Sequence, residues 1–212
     1  RVRPIHFRVP LGIDVPRAVG AQAAIESGAR TVLFVDGDLT GRTGPHLAEL
    51  IGAVLRGVDL SLSQCLSEPP TTSVLAREVY SFREMLNRRL GLLERLGVAS
   101  PSHGPSALSE RFLKSVPTRE LAVPPVAMAL ARGAGLEIGI GTHLPHHRLG
   151  SARRGNEHSE LLAHTIVGDC LEAMGVAENL PRSRSHDGRE YVGYASGRRW
   201  DLLDQFIRRH PA

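Results

Sequence analysis

Two carboxylates separated by one glycine, Asp36-Gly37-Asp38, follow the run Thr31-Val32-Leu33-Phe34-Val35. Successive apolar and β-branched residues predict a strand buried on both faces. Side chains two apart at a strand's end point the same way, so Asp36 and Asp38 can address one cation, while Gly37 lets a ligand approach the backbone. Hard carboxylate oxygens favour Mg²⁺ or Mn²⁺, ions that commonly keep open positions for phosphate oxygens. The expected ligand is a metal-bound phosphate or diphosphate.

The elements around this motif must hold it at an accessible edge. Ile5-His6-Phe7-Arg8-Val9 alternates weakly and predicts a strand. Val15 to Ser27 carries apolar residues at helical spacing, with Asp14 as N-cap, Pro16 in the first turn and Gly28 as the stop. Strand, helix and strand form a right-handed βαβ unit with parallel strands, which sets the acidic pair at the carboxyl edge of the sheet. Further along, the patterning predicts helices over 46–56, 73–96, 106–116, 121–132, 157–174 and 198–209, and strands over 58–64 and 136–140. The arginines of 73–96 are expected on its solvated face. Residues 141–156 read as a loop dense in His and Arg. The expected class is α/β, a mainly parallel sheet with helices on both faces.

Composition narrows the function. The chain has 212 residues, 42% of them hydrophobic, enough for one sizeable α/β domain. The formal charge of +4 comes from arginine, since Lys114 is the single lysine. Aromatic residues make up 4% of the chain and do not interleave with basic ones, which argues against nucleic acid as a partner. Cys65 and Cys170 lie far apart without metal-type spacing and fit reduced thiols in a cytoplasmic protein. No apolar run is long enough to span a bilayer. The basic balance leaves peripheral membrane association open, and self-association is open as well.

Residues Gly20 to Ala29 together with Val32-Leu33-Phe34-Val35-Asp36-Gly37-Asp38-Leu39 resemble the central part of nucleotide-sugar glycosyltransferases of the GT-A fold, family 2 and its glucosyl-3-phosphoglycerate synthase relatives. There a helix precedes a hydrophobic strand that ends in an Asp-x-Asp motif. The stretch His103-Gly104-Pro105-Ser106-Ala107-Leu108 is similar to the family's acceptor-side loop, and a histidine-bearing loop again follows a strand. The likeness covers roughly residues 12 to 175. It implies a GT-A domain over 1–175 whose first strand is missing, with a C-terminal loop and helix, 176–212, packed on it.

The resemblance also implies roles. Asp36 and Gly37 would lie beside the nucleotide of a nucleoside diphosphate sugar donor. Asp38 would coordinate the Mn²⁺ or Mg²⁺ that bridges the diphosphate, and His147 would be a further metal ligand. Arg148 would face the diphosphate. His103 and Gly104 would line the pocket of an unidentified hydroxyl acceptor, with Arg153 and Arg154 available if that acceptor is anionic. Members of the family usually carry an acidic pair before the helix at Leu121 to Arg132 as catalytic base; here Glu120 is the only candidate.

Two other readings stand beside this one. Asp36-Gly37-Asp38-Leu39-Thr40 also fits the Asp-x-Asp-x-Thr motif of haloacid-dehalogenase-type phosphatases, in which the first Asp is the nucleophile and the second a general acid. Ser61, Lys114 and Gly168-Asp169 would then complete the set. Alternatively, the chain is a non-catalytic GT-A-like module that binds nucleotide sugar.

Overall fold

A computed structural model describes residues 2–65, 73–150 and 155–211. Helix α1, Val15–Glu26, begins with a proline in its first turn and ends where Gly28 turns left-handed at φ 74°. Asp14 occupies the N-cap position, but its side chain makes no capping bond; it turns instead to Arg17, 3.3 Å away. Strand β1, Thr31–Phe34, follows, then helix α2, Gly44–Leu55, and strand β2, Leu60–Gln64. Residues 2–9 contain no strand; Phe7 packs its ring on Phe206, 5.9 Å between centroids. The expected βαβ unit at the start of the chain is therefore absent from the described residues.

The predicted helix 73–96 is two helices. Helix α3, Val74–Arg89, has Ser73 as its N-cap, and α4 covers Leu93–Leu96. Between them Gly91 is left-handed, and the Asn87 amide donates to the carbonyls of Gly97 and Ala99, fixing the turn. The predicted helix 106–116 is a strand followed by a helix. Strand β3, Ser106–Ser109, fills the middle of the sheet, and α5, Glu110–Ser115, starts only where the Ser109 hydroxyl caps the Phe112 N–H. Here a tertiary vacancy between two strands outweighs local helical spacing. A 3₁₀ turn, Thr118–Ala122, leads into α6, Pro124–Gly133. Strand β4, Ile138–His143, a 3₁₀ turn at His146–Arg148, and the long α7, Asn156–Ala177, complete the main body. A two-stranded hairpin, β5 Ser185–His186 and β6 Arg189–Glu190, precedes the last helix, α8, Trp200–Arg209.

The main sheet has the order β1-β3-β2-β4 and is mixed. β3 pairs antiparallel with both β1 and β2, while β2 and β4 pair parallel. Strands β1, β2 and β4 thus run one way and β3 opposes them from within the sheet. The α/β class holds, and the expected mainly parallel pairing gives way to two antiparallel ladders and one parallel. Side chains alternate as the pleat requires: Leu60, Leu62 and Leu108 enter the main core, while Ala107 meets Leu50 and Val54 of α2 on the other face. Helices therefore cover both faces of the sheet.

A ladder of charges joins α7 to the segments before α1, β5 and α8. Arg198, with 1% of its side chain exposed, grips both carboxylate oxygens of Asp169 on α7, at 2.8 and 2.6 Å. Arg184 adds a third bond to Asp169 at 2.7 Å and reaches Glu172 at 2.6 Å. Asp14 lies 3.5 Å from Arg198, and Arg17 links Asp14 to Asp36, 2.8 Å away. Burial pushes the Asp14 carboxyl up to about 6 despite the neighbouring arginines. Breaking a buried ion pair from one side strands a charge in low dielectric and typically costs about 3–5 kcal/mol, whereas an exposed pair contributes about 0–1 kcal/mol. Asp169→Asn is expected to lose about 3–5 kcal/mol in urea denaturation, and Lys114→Met, which breaks the exposed pair with Glu110, about 1 kcal/mol or less.

Candidate functional site

The acidic turn, the strand end at Cys65 and two histidine-bearing loops share one edge of the sheet. Strands β1, β2 and β4 deliver Asp36, Cys65 and His143 at their carboxyl ends, and β3, running the other way, begins there just after His103-Gly104-Pro105. Asp36 and Asp38 sit in a turn closed by the Leu39 N–H on the Asp36 carbonyl, 3.2 Å. Asp38 is exposed, and Asp36 keeps 44% of its side chain in solvent.

This turn is latched to the loop that carries His147. The Thr40 hydroxyl donates to the Gly150 carbonyl at 2.8 Å, and the Gly41 N–H donates to the Leu149 carbonyl at 3.1 Å. The approach is so close that a Cβ on Gly41 would sit 1.8 Å from the Arg148 carbonyl oxygen. Leu39 packs beneath it against Cys65, Leu144 and Leu149. On the far side the His146 N–H donates to the Cys65 carbonyl at 2.8 Å. Thus the Asp36–Asp38 turn and the His146–Arg148 turn are held together by backbone and a small apolar knot.

Arg17 was not singled out by sequence reasoning. From the first turns of α1 it donates to Asp36 at 2.8 Å and to the Pro101 carbonyl at 3.2 Å, with its guanidinium 5.7 Å from the centre of the Phe34 ring. The available signal was its position three residues after Asp14, near the start of a helix that the strand order sets beside β1. Asp36 is thereby oriented by a fixed cation.

Beside this edge opens a cavity of about 910 Å³ between α3, α7 and the two histidine loops. His103, His146 and His147 line it, as do Cys65, Tyr80 and Arg83. Arg83 approaches His103 Nδ1 at 3.4 Å, and His103 Nε2 lies 3.0 Å from His146 Nδ1. Guanidinium only donates, so Nδ1 of His103 is assigned as the acceptor and its proton belongs on Nε2, from which it is donated to His146. Burial first, then the charges of Arg83 and His146, depress His103 to about 3, and the imidazole is neutral at physiological pH. Gly104 owes its place to backbone geometry: its φ is 76°, and a Cβ would stand 2.6 Å from the Cys65 sulfur.

The remaining expected residues divide. His147 lines the cavity, and Arg148 is exposed on the same 3₁₀ turn. Glu120 does not line the cavity; its carboxylate accepts from Arg182 at 2.5 Å, on the 3₁₀ turn before α6. Its carboxylate is engaged in this ion pair. Arg153 and Arg154 lie outside the described residues. Among the described residues no three His, Cys, Asp or Glu side chains gather as a metal cage. A carboxylate and an imidazole are the donor types that a divalent cation can share with substrate oxygens and water, and Asp38 and His147 lie on the two latched turns. Of the phosphatase set, Lys114 is exposed and paired with Glu110, and Asp169 is buried inside a helix under two arginines.

Two measurements check this geometry. Gly104→Ala meets both a left-handed backbone and the Cys65 sulfur and is expected to cost about 1–3 kcal/mol in denaturant unfolding. His103, depressed below its unfolded value, favours folding above about pH 6.5, and that contribution is lost as pH falls toward 3. Its NMR ring resonances are expected to stay flat between pH 5 and 8, where an exposed histidine titrates.

Compared with protein-family models, with characterised proteins and with solved structures, the chain matches none of the three, and its chemistry has to be read from the side chains along this edge.

Proposed function

We propose that the chain is a GT-A-type domain acting as a metal-dependent glycosyltransferase, moving a sugar from a nucleoside diphosphate donor to a hydroxyl acceptor. The observation that carries this reading is the latch: a turn bearing two carboxylates is fastened to a turn bearing His147 and Arg148, at the sheet edge where the acceptor-side loop also ends. Co-directional β1, β2 and β4, with helices on both faces, suit the same reading.

In the transfer, the bond from the sugar's anomeric carbon to the diphosphate breaks and the acceptor oxygen bonds to that carbon. The diphosphate leaves with the electron pair, so the protein's task is to hold it and take up its growing charge. Asp38 and His147 would hold Mg²⁺ or Mn²⁺, which neutralises that charge when bound. Asp36, fixed by Arg17, would orient the nucleotide, and Arg148 would add positive charge beside the phosphates. The phosphatase reading is weaker, because its lysine and distal acid are committed to other pairs.

Thermal shifts with UDP, GDP and their sugars, with Mn²⁺, Mg²⁺ or a chelator, test the donor site through ligand-linked stabilisation. A cation-dependent shift that vanishes in Asp38→Ala is expected, and Arg17→Met should weaken nucleotide binding about 10-fold through the loss of an orienting contact. Phosphate release from an aryl phosphate, lost in Asp36→Asn, would favour the phosphatase instead. Nucleotide binding without transfer or hydrolysis would indicate a non-catalytic module.

A further inference from the structure

Arg83 was expected on the solvated face of its helix, yet it is 3% exposed. Its position explains this: Val79, Arg83 and Leu86 fall at helical spacing on the inward stripe of α3, continued by Leu90 just past its end. Among the described residues no carboxylate pairs with it, its hydrogen bond is to His103, and its Nε has no partner. The other titratable groups acting on it are Tyr80, Cys65 and Cys170. All three are neutral at pH 7, since burial pushes Cys65 up to about 11, Cys170 up to about 12 and the Tyr80 phenol above its ordinary value.

A guanidinium stays charged in proteins, and an uncompensated buried charge is costly. Among the described residues the other buried arginines have their acids: Arg198 has Asp169, and the largely buried Arg184 has Asp169 and Glu172. The wall of the cavity that Arg83 lines contains no acidic side chain among the described residues. It offers donors instead. Because His103 donates to His146, the far nitrogen of His146 carries its own proton, and Ser73, Ser102 and Ser159 add hydroxyls. The rest of the wall is apolar, with Leu75 and Val79 from α3 facing Leu162 and Ile166 from α7. A small inorganic anion would leave that apolar surface wet.

We infer that this cavity binds an anionic amphiphile, an organic molecule whose carboxylate or phosphate is taken by Arg83 and whose hydrocarbon body lies against the α3 and α7 walls. The site goes beyond the donor site proposed above and does not depend on it; that the bound amphiphile is also the sugar acceptor rests on the glycosyl-transfer reading.

Calorimetric titration with octyl phosphate and octanoate, against inorganic phosphate and octyl glucoside, tests the site without any nucleotide. Binding that needs both the anion and the chain, at least 10-fold tighter than either control, is expected, and the tighter of the two anions identifies the headgroup. Arg83→Met is expected to lose at least 10-fold in that affinity, consistent with a charge-assisted hydrogen bond. It should melt no lower than the parent, because it removes a buried unpaired charge; a purely structural arginine would melt lower. Arg83→Lys should restore part of the affinity. Ser159→Trp, on the exposed rim of the cavity, should weaken binding while leaving the core untouched. Asp38→Ala should bind the amphiphile normally, which separates this site from the donor site. Absence of binding by both amphiphiles, equal binding of the neutral glucoside, or unchanged affinity in both Arg83→Met and Ser159→Trp would overturn the inference.

Discussion

The structure depends on the bidentate grip of Arg198 on Asp169. Both groups are 1% exposed, both bonds are short, and Arg184 satisfies one of the same oxygens from a second direction. Charges removed from water are tolerated only when nearly every lone pair and proton finds a partner. The constraint ties three separated pieces of chain together: the segment before α8, the middle of α7 and the segment before β5. Through Asp14 it continues to Arg17 and ends at Asp36 in the acidic turn. The ladder therefore joins the body of the core to the site.

The ladder has a charge logic that makes Asp14 its weak member. Arg17 has Asp36, Arg198 has Asp169 and Arg184 has Glu172, leaving Asp14 as the surplus acid between two arginines already engaged. Desolvation then prevails over their attraction and its carboxyl rises to about 6. Its left-handed backbone, φ 60°, is a conformation that aspartate tolerates better than most residues. Asp14 therefore serves as a spacer between Arg17 and Arg198 and contributes less as a charge of its own. Arg83 inverts the arrangement, a surplus base on a cavity wall without acids among the described residues.

The legible part of the sequence was the part governed by short-range pattern. Thr31 to Phe34 read as a strand, Gly28 as a helix stop and the run after residue 156 as one long helix, because each obeys a local period or cap; burial on both faces did not follow, since β1 is an edge strand with only Val32 buried, and Val35, past its end, is 45% exposed. The failures have a common cause in tertiary competition. Ser106-Ala107-Leu108 has no strong preference and becomes a strand because β1 and β2 leave a gap between them. Ile5 to Val9 alternates like a strand, yet no ladder partner takes it up among the described residues. The Asp-Gly-Asp motif was visible, but its latch was not, since Thr40 and Gly150 lie 110 residues apart. Arg83 was concealed by the assumption that the arginines of its helix face solvent, although the spacing of Val79, Leu86 and Leu90 already placed it inward.

The two histidine loops place adjacent side chains in different surroundings along one edge. His146 and His147 are adjacent on the same 3₁₀ turn, yet His146 is drawn to His103 and the Arg83 end of the cavity. The same turn leads through Leu149 and Gly150 to the latch with Thr40 and Gly41. The turn therefore contacts both the acidic turn and the cavity wall. Its anchors are backbone bonds, His146 to Cys65 and Gly41 to Leu149, so the connection survives substitution of most of the side chains around it. The acidic turn and the cavity wall are thus joined through one short turn, with no other element needed to connect them.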